Sequence, residues 1–244
     1  MIKLEGRLVG VMNDRTRPKV KTADDAYRHL FRAIADQRLA PGTKLTEFAL
    51  VESFGVSRRV IGVALQRLAW EQLVVTLPNR GAYVAAPEAD EVREIFAARL
   101  AIEAGTTEAV ARTVNESGLA QLHANLAEER KLREQGRVRE AIHLSGGFHV
   151  LIAELSKNRV LSEQVRLLVA RTSLVISLFE NRSGLAGWHD HHDELVRLCA
   201  SRRIDAAVAL MKEHICELED GILLDSRRPT AFDPVRVFST ALSD

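Results

Sequence analysis

Residues 46–84 read "TEFALVESFGVSRRVIGVALQRLAWEQLVVTLPNRGAYV", and this stretch decides the fold of the first part of the chain. Its opening nine residues predict a short helix that is capped by Thr46. The turn "GVS" follows, in which Gly55 can adopt a positive φ and Ser57 can cap the next helix. That helix, "SRRVIGVALQRLAWEQ", is followed by two β-like runs, "LVVTL" and "AYVAA", which the turn "PNRG" joins into a hairpin.

An amphipathic helix precedes this stretch, in "TADDAYRHLFRAIADQRL", with Thr22 or Asp24 as its N-cap. Its apolar residues fall at helical spacing: Tyr27, Leu30, Phe31 and Ile34. The order of helix, short helix, tight turn, helix and hairpin is typical of a winged helix-turn-helix. In such a unit the helix after the turn enters the major groove, and the hairpin lies along the backbone or the minor groove.

Six residues of this unit are candidate contacts to double-stranded DNA: Thr46, Ser57, Arg58, Arg59, Arg80 and Gly81. The two arginines that follow Ser57 lie in the first turn of the reading helix, where arginine can bond a guanine edge in bidentate fashion. Thr46 and Ser57 stand at helix N-termini, which suit phosphates. Arg80 at the hairpin tip suits the minor groove. The alternative is a small helical domain with an ordinary solvated arginine pair.

The charge of the chain is unevenly distributed, although its net value is only +1. Residues 1–87 hold 14 basic and 8 acidic side chains, a balance of +6, whereas residues 88–244 hold 20 and 25, a balance of −5. This asymmetry indicates that only the first part meets a polyanion, unless the charges are scattered by chance. No apolar run approaches the length of a membrane span, so we expect no membrane partner.

The remainder of the chain predicts an all-α bundle of five or six helices, without a β signal. We expect polar joints near residues 115–118, 135–138, 156–158, 181–187 and 201–203. The predicted fold is therefore mainly α, with a winged helix-turn-helix and a six-helix bundle. The predicted divisions are a flexible arm (1–22), the winged helix (23–87), the effector-binding and dimerisation bundle (88–226) and a tail (227–244).

The two cysteines, Cys199 and Cys216, are predicted to lie about 13 Å apart on an antiparallel helix pair, which is too far for a disulfide. The N-terminus has no apolar stretch long enough for a secretory signal. We therefore expect a reduced, cytoplasmic protein.

Three histidines fall on apolar helix faces and form a candidate metal site. In "WHDHHDEL", residues 188–195, His192 shares a face with Leu195, and His214 shares one with Met211 in the next helix. A helical hairpin centred near residue 203 sets these two side by side, and His149 lies at the edge of an inward face. Three imidazoles from three helices can bind Zn²⁺ or Ni²⁺ and leave a position open for a carboxylate. For each histidine alone, a buried hydrogen-bonded core residue is the alternative.

At these positions the chain resembles a known family. Residues 41–87 are similar to the winged-helix domain of GntR-family bacterial transcription regulators, especially in "RLAWEQLVVTLPNRGAYVA". "EVREIFAARLAIEAGTTEAVA", "FHVLIAELSKNRVL" and "HDELVRLCASRRIDAAVALMKEHI" resemble the FCD effector domain of the FadR branch, in its six-helix, VanR-type variant. The resemblance covers about residues 24–220. It implies that His149, His192 and His214 are metal ligands.

The chain departs from the family pattern at three positions. Ser145 stands where the family usually has an aspartate ligand, so the divalent metal, Zn or Ni, loses a charged donor. Gly62 and Phe48 stand where arginines are expected in the DNA reader. Arg99 matches an arginine that can face the ligand cavity, so Arg99 and Ser145 are candidate effector contacts. An ion pair between Arg99 and Glu103 at i+4 is an equally good interpretation of the arginine.

The resemblance implies a regulator that is not an enzyme, with a small carboxylate effector bound near the histidines. It would act as a homodimer on a pseudo-palindromic operator, hinged near residues 85–89. One alternative is a degenerate regulator that has lost sequence-specific DNA binding, because Gly62 and Phe48 replace arginines. Another alternative is a metal-dependent enzyme. The lack of a suitable general base argues against it, because Asp190 and Glu194, the carboxylates nearest the histidines in sequence, are expected to face solvent.

Overall fold

The structure is a computed structural model that describes residues 20–179 and 190–226. Within these ranges the chain is mainly helical, which confirms the predicted fold class. The elements are α1 (Ala23–Ala35), β1 (Lys44–Leu45), α2 (Glu47–Phe54), α3 (Arg58–Trp70), β2 (Val74–Leu77), β3 (Gly81–Val84), α4 (Ala89–Thr113), α5 (Glu116–Glu134), α6 (Val138–Leu155), α7 (Arg159–Phe179), α8 (Asp190–Ala200) and α9 (Ile204–Ser226).

The first half forms a winged-helix head, residues 20–84. Thr22 caps α1 through a capping box, in which its hydroxyl accepts from the Asp25 amide at 3.1 Å and the Asp25 carboxylate accepts from the Thr22 amide at 3.0 Å. Gly55 ends α2 in the left-handed region, at φ 67°, and Ser57 caps α3. The apolar faces of α1 and α3 meet in one core with the wing.

A third strand joins the predicted hairpin in the head. The strand order is β1-β3-β2, with Lys44 opposite Tyr83 and Leu45 opposite Ala82. The sequence "APGTKL" predicted only a break between helices, because two paired residues are too few to show an alternating pattern. The β2–β3 hairpin turns at residues 78–80, where Asn79 has a positive φ of 60°.

The second half is a bundle of six helices, α4 to α9, among the described residues. The predicted joint at 181–187, the tail and most of the arm lie outside the described residues. Val20, which the sequence assigned to the arm, is buried in the core of the head. No helix in ranges 20–179 and 190–226 is long and apolar enough to cross a membrane.

The long helix α4 runs through the bundle and buries an unusual face. The buried face is apolar toward both ends of the helix, with Phe96 and Val110 fully buried, but in the middle it contains Arg99, Glu103 and Thr106. Charged groups are almost never fully buried unless they are paired. The middle of α4 therefore marks the level in the bundle at which a polar site is built.

The head packs directly onto α7 of the bundle. Ala170 and Leu174 of α7 are buried in the core of the head. The Arg166 guanidinium lies over the Phe31 ring at 4.2 Å, and the Gln37 amide donates to the Ser173 carbonyl at 3.2 Å. A side-chain contact between Asp36 and His143, at 3.1 Å, adds a link to α6. The linker at residues 85–88 is therefore not the sole connection between the two halves.

We expect Leu174→Ala to loosen the head from the bundle, because Leu174 is buried in the core of the head. Removing a buried leucine side chain typically costs about 2–5 kcal/mol. The midpoint of urea unfolding should fall, and limited proteolysis should cut faster at residues 85–88. Val160→Ala in the same helix, where the valine is exposed, is the matched control. Equal behaviour of the two variants would contradict the packing of α7 against the head.

Candidate metal and effector site and candidate DNA interface

Three imidazoles from three helices converge in the interior of the bundle. His149 comes from α6, His192 from α8 and His214 from α9, and all three are almost fully buried. The Nε2 atom of His214 lies 3.1 Å from Nε2 of His192 and 3.3 Å from Nε2 of His149. One nitrogen of each ring lies within 4.8 Å of the other two. We call these residues the histidine cluster.

Carboxylates from two further helices face the opposite nitrogens of two of these rings. Nδ1 of His149 lies 2.6 Å from Oε2 of Glu103, and Nδ1 of His192 lies 3.8 Å from Oε2 of Glu129. An ionised carboxylate can only accept a hydrogen bond, so the Nδ1–H of His149 donates to Glu103. The Nε2 of that ring then carries a lone pair that faces the centre of the cluster. A carboxylate at this position fixes the tautomer and the ring orientation that a metal-ligating histidine requires.

The packing around the cluster holds the rings in this orientation. Phe148 stacks on His192, with ring centroids 4.2 Å apart and an angle of 22° between the planes. His149 and His214 are stacked as well, with centroids 5.1 Å apart. Burial, followed by the neighbouring His149 and His192, holds the pKa of His214 well below its usual range. A neutral imidazole is the form that can ligate a metal.

The charge of Glu103 is stabilised from two sides. Burial alone would raise the pKa of this carboxyl, but Arg99 and His149 outweigh burial and lower its pKa to about 2. Nε of Arg99 donates to Oε1 of Glu103 at 2.6 Å. The i+4 ion pair that the sequence allowed for Arg99 is therefore present. Burial likewise opposes the ionisation of Glu129, whose pKa is nevertheless lowered by His192 and Arg133.

The interpretation of Arg99 as a ligand-facing residue also finds support in this geometry. Its Nη2 atom is buried and has no hydrogen-bond partner in the described part of the chain. Arg99, Arg133, Ser145, His149 and Thr172 line a small cavity of about 40 Å³ beside the histidine cluster. Pockets for drug-sized ligands usually measure about 300–1,000 Å³. An effector larger than a few atoms would have to widen this cavity.

Ser145 lies in the wall of the cavity, one helical turn before His149 on α6. Two glycines, Gly146 and Gly147, follow Ser145, and α6 nevertheless continues without interruption from Val138 to Leu155. A Cβ at Gly146 would lie 3.0 Å from a methyl group of Val169 on α7. The glycine therefore permits the close approach of α6 and α7 at the cavity instead of breaking the helix.

Sequence reasoning missed two functional contacts, those of Glu103 with His149 and of Glu129 with His192. We considered only carboxylates close to the histidines in sequence, whereas these two come from α4 and α5. A signal was present for Glu129, which falls on the same helical face as the buried Leu122, Leu126 and Leu132. A charged residue on an apolar face predicts a buried partner, although it does not say which one.

The donor set fits a borderline metal ion such as Zn²⁺. Tetrahedral bonds of about 2.0–2.1 Å to two imidazoles place their nitrogens roughly 3.3–3.4 Å apart. The two Nε2 separations of 3.1 and 3.3 Å are close to this spacing. Because Ser145 stands where the family resemblance implies a fourth protein ligand, an ion held here would have three nitrogen donors and an open position.

Four of the six candidate DNA-contacting residues line one groove of the head. An open groove of about 830 Å³ runs between the first turns of α2 and α3 and the wing. We call it the wing groove; its lining includes Lys44, Thr46, Phe48, Arg58, Gly62, Trp70, Arg80 and Gly81. Ser57 and Arg59 are exposed at the start of α3 but are not part of this lining.

The candidate residues at this groove differ in their local contacts and conformation. Arg58 is 84% exposed and forms an ion pair with Glu47 in the first turn of α2. Thr46 occupies the N-cap of α2 without a capping hydrogen bond from its side chain. Gly81 follows directly after Arg80 at the hairpin tip and has a φ of 91°, a conformation that favours glycine. The groove therefore combines cations with helix N-termini, which suit a phosphate backbone.

Comparison with protein families assigns each half of the chain to a known domain. Residues 22–84 match the family described as bacterial regulatory proteins, gntR family, and residues 94–216 match the FCD domain. The HTH-type transcriptional repressor RspR of Escherichia coli K12 is 28% identical over 197 residues, which are 80% of this chain and 86% of that protein. The Nta operon transcriptional regulator of Aminobacter aminovorans is 26% identical over 185 residues, 75% of this chain and 86% of that protein.

Solved structures share the fold. A GntR transcriptional regulator from Rhodococcus sp. RHA1 superposes with a TM-score of 0.74 at 23% identity, covering 82% of this chain and 97% of that one. McbR/YncC of E. coli gives a TM-score of 0.74 at 19% identity, with 86% and 99% covered. The chain belongs to the GntR family of bacterial transcriptional regulators, with a winged DNA-binding domain followed by an FCD domain.

Proposed function

We propose that this regulator is a homodimer that releases or engages a pseudo-palindromic operator when a small carboxylate binds, together with a divalent metal, in the FCD domain. The observation that carries the proposal is the buried histidine cluster next to a cavity that is lined by Arg99, whose buried Nη2 has no hydrogen-bond partner among the described residues. Two heads related by a twofold axis would read two half-sites of the operator. The cytoplasmic location expected from the sequence stays a prediction.

The residues of the bundle have separate roles in this proposal. The Nε2 atoms of His149, His192 and His214 would hold the ion, and Glu103 and Glu129 orient two of the rings. When bound, the ion supplies a Lewis-acidic position to which a carboxylate oxygen can bind. Arg99 offers Nη2 to the same carboxylate, since its Nε is already engaged by Glu103.

Helix α7 offers a physical route from the effector to the DNA. Thr172 on α7 lines the cavity, and its hydroxyl lies 3.4 Å from Nη1 of Arg99. Two residues away, Leu174 is buried in the core of the head. Nearer the N-terminus of α7, Arg166 contacts Tyr27, whose hydroxyl donates to Glu71 at the C-terminal end of α3. Widening the cavity would displace α7 and, with it, the reading helix.

This route replaces the linker as the main element of the proposed mechanism. The sequence favoured a hinge at residues 85–89, but α7 contacts both the cavity and the head, so its displacement moves the head directly. A conformational change requires that the ligand bind the two states with different affinity. The small size of the cavity supplies that difference, because the effector fits only the widened state.

The enzyme alternative finds little support at this site. Glu103 and Glu129 face the Nδ1 atoms and are engaged by Arg99 and Arg133, so they orient histidines and are not placed as general bases at the open side. The related proteins named above are transcriptional regulators. The degenerate-regulator alternative rests on Phe48 and Gly62, and measurement of operator preference separates it from the proposal.

We expect Arg58→Ala to weaken operator binding and discrimination. Loss of a bidentate arginine contact removes about 1–3 kcal/mol of base discrimination. Fluorescence anisotropy with the upstream DNA of the gene and a scrambled duplex, at two salt concentrations, measures the effect. Arg159→Ala is the control, since Arg159 is 91% exposed on the bundle. Equal binding of both duplexes by the wild type would favour the degenerate regulator.

We expect the metal-free protein to bind one Zn²⁺ per chain in isothermal titration calorimetry. His214→Ala should lower the affinity by about a hundredfold or more, because only two imidazoles remain. His143→Ala, at a half-exposed histidine of α6, should leave it unchanged. Ser145→Asp should raise the affinity by about tenfold, because it restores a charged donor. Identical titrations of the wild type and His214→Ala would exclude the histidine cluster as the metal site.

We expect Arg99→Lys to impair the effector response while preserving the fold. Lysine keeps the charge that Glu103 requires, but its single ammonium group lacks the extended guanidinium with which Arg99 binds Glu103 through Nε and still offers Nη2 to an effector. In a screen of small carboxylates for a change in operator anisotropy, the variant should need about tenfold more of any active compound. Arg159→Lys serves as the control on an exposed arginine. An unchanged dose response would remove Arg99 from the effector site.

A further inference from the structure

The wing groove contains an exposed aromatic ring that the fold does not use. Phe48 lies in the first turn of α2 and is 80% exposed. It lines the groove together with Arg58 and Arg80, which are cations of the head. Trp70, which is also 80% exposed, lines the same groove. A surface patch with more than one large exposed apolar side chain marks a site that contacts a partner.

Gly62 on the same groove is not explained by packing either. It lies inside α3, one turn after Arg58, and a Cβ built there would meet no atom within 4 Å. Glycine inside a helix is destabilising relative to alanine. The absence of a side chain is useful at this position if another molecule approaches the helix backbone closely. Because Gly62 and Phe48 line one groove, the same partner would contact both.

We infer that Phe48 and Gly62 form an apolar reading surface for the C5-methyl group of a thymine in the operator. In the major groove thymine differs from every other standard base by this methyl group, and phenylalanine is one of the side chains that contacts it. Gly62 lets the base edge approach α3 closely enough to touch the ring. Arg58, in the turn before Gly62, reads the neighbouring base pair and fixes the register.

Double-stranded DNA is the occupant that the surroundings of this apolar surface favour. Lys44, Arg58 and Arg80 line the groove, and residues 1–87 carry a balance of +6. Glu47 pairs with Arg58, so a purely apolar partner would still leave the charges of Lys44 and Arg80 without compensation, whereas a duplex presents phosphates around the methyl groups. The inference rests on the proposed function, since it requires an operator that the head recognises.

The test compares duplexes that differ by one methyl group. The operator is first recovered by selection from random DNA, and each thymine of a half-site is then replaced singly by deoxyuridine. At one position the wild type should lose about fourfold in affinity, the change expected from one buried methyl group. Phe48→Ala should bind the two duplexes equally, whereas Val160→Ala, a remote exposed valine on α7, should behave as the wild type.

Gly62→Ala provides a second readout with its own control. It should raise the midpoint of thermal unfolding but weaken operator binding by about fivefold or more, the low end of one base contact. Gly105→Ala, at another helical glycine with open space around it, should stabilise α4 without changing DNA affinity. Full operator affinity in Gly62→Ala would overturn the close approach.

The outcomes separate this inference from the proposed function. Operator preference without any methyl effect, or a methyl effect that persists in Phe48→Ala, overturns the reading by Phe48 and leaves the regulator intact. Equal binding of selected and random duplexes overturns both. A C5-methyl group is also carried by 5-methylcytosine, so the pair 5-methyl-dC and dC is measured at the same position. A preference confined to that pair overturns the assignment to thymine.

Discussion

The buried ion pair between Arg99 and Glu103 is the interaction on which the interior of this protein depends. Both side chains lie on α4 and are almost inaccessible to water. Removing one partner of such a pair usually costs about 3–5 kcal/mol, because the other charge is left without compensation. Replacing both by apolar residues is often neutral. A pair of this kind is therefore poor evidence for stability and better evidence for a function of the charges.

The function of these charges becomes apparent from what each one contacts beyond its partner. Glu103 accepts from His149 with its second oxygen, and Arg99 contacts Thr172 with Nη1 and lines the cavity. The ion pair thus orients His149 of the histidine cluster, contacts α7, on which the head packs, and lines the cavity. In the proposed mechanism a ligand that widens the cavity would displace α7, because well-packed interiors transmit strain.

Much of this arrangement was predictable from periodicity, and the part that was not has a common cause. A helical hairpin centred near residue 203 placed His192 beside His214, and α8 and α9 do turn at residues 201–203. Those predictions used neighbours along one helix or across one turn. The contact of Glu129 with His192 joins α5 to α8, and strand β1 forms only because β3 lies beside it. Long-range partners of this kind are set by packing between elements, which no local pattern encodes.

The charge balance of the site gives the serine at position 145 a second consequence, in addition to the absence of the aspartate ligand. Around the histidine cluster, Arg99 and Arg133 are balanced by Glu103 and Glu129, and the buried His214 is neutral. A divalent cation held there would add positive charge that no further carboxylate of the described bundle is placed to offset. Isolated charge is strongly disfavoured in a low-dielectric interior. With aspartate at position 145 the protein itself would supply part of the compensation, whereas with serine the proposed carboxylate effector would have to supply it. Cation and carboxylate would then bind cooperatively, each lowering the cost of burying the other.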